Sequence, residues 1–398
     1  MNSQSPLQIL IAGGGIAGLA TGVACATAGH LVRVYERSQH LTEAGAGIQL
    51  GPNVTRILRD WSLLDAVQAL AVQPDCLLIR DTKSGRSLGQ LSLKGRADAR
   101  YGAPYLTVHR ADLHACLLAG LRQRADVFCH TGRAVVNATD DDTEGVTLTL
   151  ADDQMVQGDV LVAADGLWSE LRSLACQDGA PVATGHVAYR ALIKTSDLPP
   201  HLRASAVTVW LGPHVHVVQY PVRGGELMNV VVIAAGEPLA DAFDWSNRAP
   251  TRAVYQAVGG VCVDLADTLD AAGATDNGWL AWQLFDRPPV AGPDSLYKGR
   301  VALLGDAAHP MRPYLAQGAG MAIEDASALA TVLPSDPSVV SQSLFRYANN
   351  RWARVARVQQ KAKQNGDVFH ATGLKRLGRD LAMRMLGSRL IDQPWLYG

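Results

Sequence analysis

The sequence predicts an α/β protein in which a parallel sheet with a glycine-rich turn is interrupted by a mixed β-sheet layer and finished by helices. Three observations predict it. The chain opens on an apolar run, Leu7–Ala12, then Gly13, Gly15 and Gly18, then an alanine-rich stretch to about Gly29, the order of a strand, a tight turn and a helix. Two later runs, Asp159–Ala164 and Arg300–Leu304, have the unbroken hydrophobicity of strands covered on both faces. Between about Ala180 and Pro289 the pattern changes to short runs, Val207–Leu211, His216–Tyr220 and Leu227–Ile233 among them, separated by glycine and proline turns, as in a second, mixed or antiparallel sheet.

The remaining elements follow in order. A second strand covers Leu31–Tyr35 and ends at Glu36, completing a βαβ opening. A helix is expected around Leu106–Ala125 with Asp112 in its first turn. Alternation marks Val146–Leu150 as a strand between turns at Asp140–Glu144 and Asp152–Asp153. A loop follows Arg300–Leu304, a helix begins near Gly318, and the chain is mostly helical after Leu333. The segment Leu374–Leu390 is basic and amphipathic and reads as a solvated surface helix rather than a membrane-binding one.

Composition narrows the function. The formal net charge of 398 residues is −1, which gives no electrostatic footprint for nucleic acid or an anionic membrane. No apolar run is long enough to span a bilayer. The N-terminus lacks a basic leader region and reads as the first strand of a mature chain. Cys25, Cys76, Cys116, Cys129, Cys176 and Cys262 are scattered, with no CxxC pair, which argues against a zinc site or a disulfide framework and for reduced thiols in the cytoplasm.

The glycine motif carries the first chemistry. In GxGxxG, Gly13 permits the tight turn, Gly15 lets a pyrophosphate approach the backbone, and Gly18 lets helix and strand pack closely. The helix N-terminus then offers unpaired amides to phosphate. Glu36 stands at the end of the second strand, where an acid bonds the adenosine ribose; Arg37 follows it. This motif alone does not separate FAD from NAD.

Two further motifs do. Gly305-Asp306-Ala307-Ala308-His309-Pro310 follows a buried strand, and Asp159–Gly166 precedes Trp168, Ser169 and Arg172. With GxGxxG, the segment Gly45–Asn53 and the segment Tyr314–Asp325, the chain resembles, over nearly its whole length, the class A flavoprotein aromatic hydroxylases, the family of para-hydroxybenzoate, salicylate and 3-hydroxybenzoate hydroxylases. The resemblance implies a glutathione-reductase-like FAD-binding domain (1–75, 106–179, 291–335) with an intergrown mixed β-sheet substrate domain (76–105, 180–290) and C-terminal helices (336–398). It implies FAD contacts from Asp306, Arg110, Gly47 and Asp165, and helix-end amides of Gly318 and Ala319 at the flavin, where they stabilise its reduced anion. For Arg110 the other reading is a helix-end ion pair, and for Asp165 a turn or cap. Only one nucleotide fingerprint is present, which argues against a separate NAD domain; the resemblance implies NADH or NADPH as a transient co-substrate, with molecular oxygen, a small aromatic substrate and a flavin C4a-hydroperoxide. The protein is expected as a cytoplasmic monomer or homodimer.

The substrate face is read from Trp210–Pro221. Period-two alternation puts His214, His216, Val218 and Tyr220 on one strand face. His216 and Tyr220 match the His-x3-Tyr pattern of the resembling hydroxylases, with His216 as base at the substrate hydroxyl and Tyr220 as its hydrogen-bonding partner. The alternative is a structural pair. His214 is placed at the pocket mouth or in a structural role. Gln49 is expected behind the flavin, in reach of FAD or the ring, and Pro313 beside the ring edge, both as substrate-pocket residues; some 3-hydroxybenzoate-type relatives carry glutamine where Pro313 stands, so this chain departs from that pattern. Asp75 and Tyr105 are further candidates, His309 is expected to hold its own loop, and no carboxylate or thiol completes a metal site with the histidines. The rival readings are a hydroxylase of an N-heterocycle or non-aromatic ring, a flavin-binding redox sensor without productive hydroxylation, and a plain NAD dehydrogenase.

Overall fold

The computed structural model describes residues 6–41, 46–141, 145–237, 239, 241, 244 and 246–398. The opening forms as its pattern dictates: strand Gln8–Ala12, helix Ile16–Thr27 and a second, parallel strand Leu31–Glu36. They belong to a six-stranded sheet in the spatial order Tyr297–Lys298, Val301–Leu303, Val160–Ala163, Gln8–Ala12, Leu31–Glu36, Val127–Thr131. All its pairings but the first are parallel. The two runs of unbroken hydrophobicity are inner strands here, and every residue of Val160–Ala163 and Val301–Leu303 is buried. Helices Ile16–Thr27, Arg110–Arg122 and Gly318–Val332 pack together beside this sheet, while a three-stranded antiparallel sheet adds Val146, Leu148 and Leu150 to the same core.

The second sheet has eight strands, in the order Arg248–Ala249, Trp279–Asp286, Val182–Lys194, Leu227–Ala235, Val215–Val222, Ala206–Gly212, Cys76–Asp81, Ser87–Ser92. It is mixed, because Ala206–Gly212 pairs in parallel with Cys76–Asp81 and the rest pair antiparallel. One face buries Val215, Val217, Val230 and Val232 with Trp210 and Trp279 beneath helices Thr251–Val258 and Val263–Gly273. Strand alternation therefore turns His216, Val218, Tyr220, Val231 and Ile233 to the other face.

Helix Val340–Phe369 is about 45 Å long at 1.5 Å per residue and ties the sheets together. Tyr347 donates to the Leu303 carbonyl at 3.0 Å in the first sheet. At the other end Phe369 packs its ring on His216, centroids 5.2 Å apart, in the second.

Three expectations need correction. Leu106–His109 is not the start of a helix but a buried strand, antiparallel to Gly47–Leu50; the helix is Arg110–Arg122. Two of these four residues, Thr107 and Val108, are β-branched, and all four are covered, which favours the pleated arrangement. Helix Gly373–Leu386 lies at the surface with Lys375 and Arg384 exposed, but its solvent-facing side is not only charged. Leu374, Leu377, Leu381 and Met385 are exposed, while Arg376 is paired with Asp81 at 2.5 Å and Arg379 donates to the Phe369 carbonyl at 2.8 Å. Asp140 and Asp141 are strand residues rather than a turn; residues 142–144 of that expected turn lie outside the described residues, as do Met1–Ser5 and Gly45. All six cysteines are free. Among the described residues no helix is long and apolar enough to cross a membrane.

Candidate active site

The glycine turn is pressed against its surroundings. Gly13 has φ of 107°, and a Cβ there would strike the Ala164 carbonyl oxygen; a Cβ on Gly18 would strike the Gly13 carbonyl. Close packing of turn, helix and neighbouring strand thus requires both glycines. Glu36 Oε2 accepts the Gly14 amide at 2.7 Å and Oε1 accepts that of Ser38 at 2.8 Å, so the acid ties the end of the second strand to the turn. Arg37 is exposed and lies outside the cavity lining.

Gly15 opens the first helix at the edge of a cavity of about 280 Å³ between the two sheets. Gly47, Gln49 and Arg110 line it from the strand pair before the Arg110 helix, and Asp306, Pro313, Gly318 and Ala319 line it from the loops after the first sheet's last strand. The loop before the Gly318 helix turns through Ala316 at φ 52°, a left-handed conformation that costs a residue with a Cβ roughly 1 kcal/mol. It brings the amides of Gly318 and Ala319 to the cavity as the first turn of a fifteen-residue helix. Two helix N-termini and the cationic residue Arg110 therefore border one space, an environment that favours phosphate and an anionic ring edge. Asp165 caps a turn, accepting the amide of Glu170 at 3.2 Å, yet its Oδ1 is buried without a hydrogen-bond partner between the lining residues Ala164 and Gly166. Burial pushes its carboxyl up. The orphaned oxygen, the glycine cradle and the two helix ends fit a flavin dinucleotide.

A buried ionic network holds these loops. His309 Nε2 meets Asp325 Oδ2 at 2.5 Å, Arg351 Nε donates to Asp325 Oδ1 at 2.8 Å, and the Gly305 amide reaches Asp325 Oδ2 at 3.3 Å. Burial pushes the Asp325 carboxyl up, but His309 and Arg351 outweigh that and hold it at about 2. Glu324 binds Arg351, Arg354 and Asn53 in the same manner. His309 thus fixes the turn that carries Asp306, as expected.

The second sheet supplies the other wall. His216 and Tyr220 line it on either side of Val218. His216 is 1% exposed, and burial, with the nearby His370 and His186, pushes its imidazole well below the usual histidine range. Its Nδ1 lies 2.8 Å from His370 Nε2, which leaves Nε2 for the cavity. Burial pushes the Tyr220 hydroxyl upward, so it stays protonated and acts as a hydrogen-bonding group, with Gln49 as a partner. Gln49 Oε1 also accepts from Tyr105 at 2.6 Å, which is how Tyr105 reaches the site. Gly47 touches this wall: its amide donates to Asn229 Oδ1 at 2.8 Å, and a Cβ would come within 2.5 Å of Tyr220 and 2.8 Å of Asn229.

His214 is not on this face. It sits in the hairpin turn before Val215 with φ of 59°, exposed, and outside the cavity lining; a strand ending at Gly212 breaks the alternation that grouped it with His216. Asp75 is also elsewhere, 63% exposed beside Lys94. Sequence reasoning missed Arg190, His370 and Asn229. Arg190 lines the cavity with its guanidinium 4.0 Å above the Trp282 ring and its Nε buried without a hydrogen-bond partner. A lone arginine in the apolar run Val187–Ile193 was the available signal. His370, at the end of a long helix, gave none.

Known proteins resemble this chain over its whole length. The chain is 35% identical to 3-hydroxybenzoate 6-hydroxylase of Polaromonas naphthalenivorans over 401 residues, covering 100% of this chain and 97% of that one. It is 37% identical to a 3-amino-4-hydroxybenzoate 2-monooxygenase of Streptomyces platensis, covering 98% and 96%. A salicylate hydroxylase substrate complex superposes with a TM-score of 0.80 at 26% identity, covering 99% and 96%. A family model described as FAD binding domain matches residues 6–248 and 291–362. The chain therefore belongs to the FAD-binding-domain family, among the flavoprotein aromatic hydroxylases that its motifs resemble.

Proposed function

We propose that this protein is an FAD-dependent monooxygenase that uses NADH or NADPH and molecular oxygen to hydroxylate a small phenolic aromatic acid of the salicylate or 3-hydroxybenzoate type. The observation that carries the reading is His216: a buried imidazole kept neutral by its surroundings, with one nitrogen held by His370 and the other left to a cavity. Reduced FAD, when bound, supplies the activation of oxygen. The chain's own residues supply the rest. His216 Nε2 accepts the phenol proton, because the phenolate is the better nucleophile. Tyr220, protonated throughout, donates a hydrogen bond to the phenolate oxygen and holds it in place. Arg190 gives the acid a cation at a wall that is otherwise largely apolar. Val218, Val231 and Ile233 exclude water from the reacting ring. Gly15, Gly47, Arg110, Asp165, Asp306, Gly318 and Ala319 hold the flavin in this reading, with Glu36 and Gly13 fixing the turn under its pyrophosphate and Gly18 the helix behind it.

The test is oxidation of NADH and NADPH by the FAD-loaded protein with a panel of hydroxybenzoates and hydroxylated N-heterocycles, with products weighed by mass spectrometry. One hydroxybenzoate that accelerates oxidation and returns with one added oxygen supports the reading. Acceleration by a heterocycle alone, or hydrogen peroxide as the sole product, rejects the phenolic acid.

A further inference from the structure

We propose that His370 is the second station of a proton relay: His216 Nε2 takes the substrate hydroxyl proton while the His216 Nδ1 proton passes to His370 Nε2, so that the proton leaves behind the cavity wall. The proposal rests on the hydroxylase reading above and adds to it a residue from the C-terminal region.

The geometry is that of a two-imidazole wire. Neutral imidazole carries one N–H and one acceptor nitrogen. If His216 Nε2 is to accept from the substrate, its hydrogen sits on Nδ1, which then donates to His370 Nε2 across 2.8 Å. His370 in turn keeps its hydrogen on Nδ1. One transfer into His216 and one out of it leave His216 neutral and His370 cationic, and the His370 Nδ1 proton then passes to water. A proton returning along the same path restores both tautomers. No bond other than N–H and O–H changes, and no oxidant is needed.

Burial says why a second station is required. His216 is 1% exposed, whereas His370 is only partly buried and lies outside the cavity lining. A proton held on His216 alone would be a buried charge with no carboxylate in contact. The surroundings of His370 oppose a lasting cation as well. From the second sheet the His186 ring lies 5.1 Å away between centroids, tilted by 44°, and the His214 amide donates to the His370 carbonyl at 3.2 Å. The Tyr314 ring lies 5.7 Å away, with Arg312 beyond it tied to Asp286 at 2.5 Å. Arg379 donates to the Val368 and Phe369 carbonyls, and Asp367 is on the same helix. Burial, then His186, His214 and these arginines, hold His370 at about 4, so both imidazoles are neutral near pH 7 and each proton moves on.

The experiment uses the FAD-loaded, full-length protein without reduced nicotinamide, mixed with 3-hydroxybenzoate in a stopped-flow instrument. A pH-indicator dye follows proton release and ultraviolet difference absorbance follows phenolate formation. His370→Gln keeps a partner for the His216 Nδ1 hydrogen but passes no proton on. The expected result is binding of the acid with proton release slowed by at least about a hundredfold, the low end for a lost acid–base group. His370→Ala is expected to regain rate with added imidazole. His370→Gln releasing its proton at the wild-type rate overturns the relay. Should the variants lose FAD, the wild-type rate in mixtures of H2O and D2O decides: a curved dependence, from two protons in flight, supports the relay and a straight line overturns it. A wild-type protein that binds no member of the hydroxybenzoate panel overturns the substrate reading and the relay with it; one that binds and deprotonates the acid equally fast with Gln at this position overturns the relay alone.

Discussion

Replacing Arg351 by methionine removes one side chain from the network beneath the flavin loops, and its cost can be worked from the structure. Arg351 is 6% exposed and bridges Asp325 and Glu324 at 2.8 Å each. Asp325 is fully buried and would keep only His309 and the Gly305 amide. Breaking a buried pair from one side costs about 3–5 kcal/mol, since the remaining charge loses its compensation. Unfolding entropy near 2.1 cal/mol/K per residue gives about 0.8 kcal/mol/K for a chain of this length, so Tm is expected to fall by about 4–6 °C at pH 7. The effect has a pH signature. In the native protein the Asp325 carboxyl is held at about 2, below its ordinary 3.8, which contributes roughly 2 kcal/mol to folding. A depressed carboxylate stabilises above its unfolded value and loses that contribution as pH falls through the folded one. The gap in Tm between wild type and Arg351→Met should therefore be full at pH 7 and narrow between pH 4 and pH 2. Thermal unfolding followed by circular dichroism at pH 7 and pH 3 measures it. A drop of under 1 °C at pH 7, or a gap of the same size at both pH values, would refute the reasoning.

Three further outcomes follow from the site. Gly47→Ala pushes a methyl group into Tyr220 and Asn229; overpacking of this kind costs about 1–3 kcal/mol, and the expected result is a raised KM and more hydrogen peroxide per reduced nicotinamide consumed, with unchanged coupling counting against Tyr220 as a substrate-holding group. Arg190→Gln should weaken binding of a hydroxybenzoate by about tenfold or more while leaving an uncharged phenol nearly unaffected, read by flavin fluorescence titration; equal losses for both would show that Arg190 acts through the fold. Because burial and the neighbouring imidazoles push His216 well below the usual histidine value of 6.5, the base is available above its lowered value, and the acid limb of kcat/KM is expected well below pH 6.5 in a pH–rate profile; a limb at or above 6.5 would exclude His216 as the base.

The parts of this protein that were legible in the sequence are those whose cause is local. A glycine turn between an apolar strand and a helix announces itself, because Gly13 and Gly18 are needed by the backbone within a few residues. Val160–Ala163 and Val301–Leu303 are continuously apolar because they are covered on both faces. His216 and Tyr220 share a face because a strand repeats every two residues. The same rule misplaced His214, because the alternation was carried through Gly212 and Pro213, which mark the turn between Val207–Leu211 and His216–Tyr220. Leu106–His109 was misread because a short apolar run fits either a helix or a strand until its partner, Gly47–Leu50, is known.

What the tertiary structure decided are the meetings between distant segments. The sequence by itself determined a nucleotide-binding βαβ opening, a second sheet layer and the histidine–tyrosine face. Only the folded chain brought Arg190 over Trp282, set Gly47 against Tyr220 and Asn229, and carried His370 along a thirty-residue helix to the back of His216. These contacts join residues up to 182 positions apart, and their energies depend on burial and on distance through space, which no local pattern of side chains records.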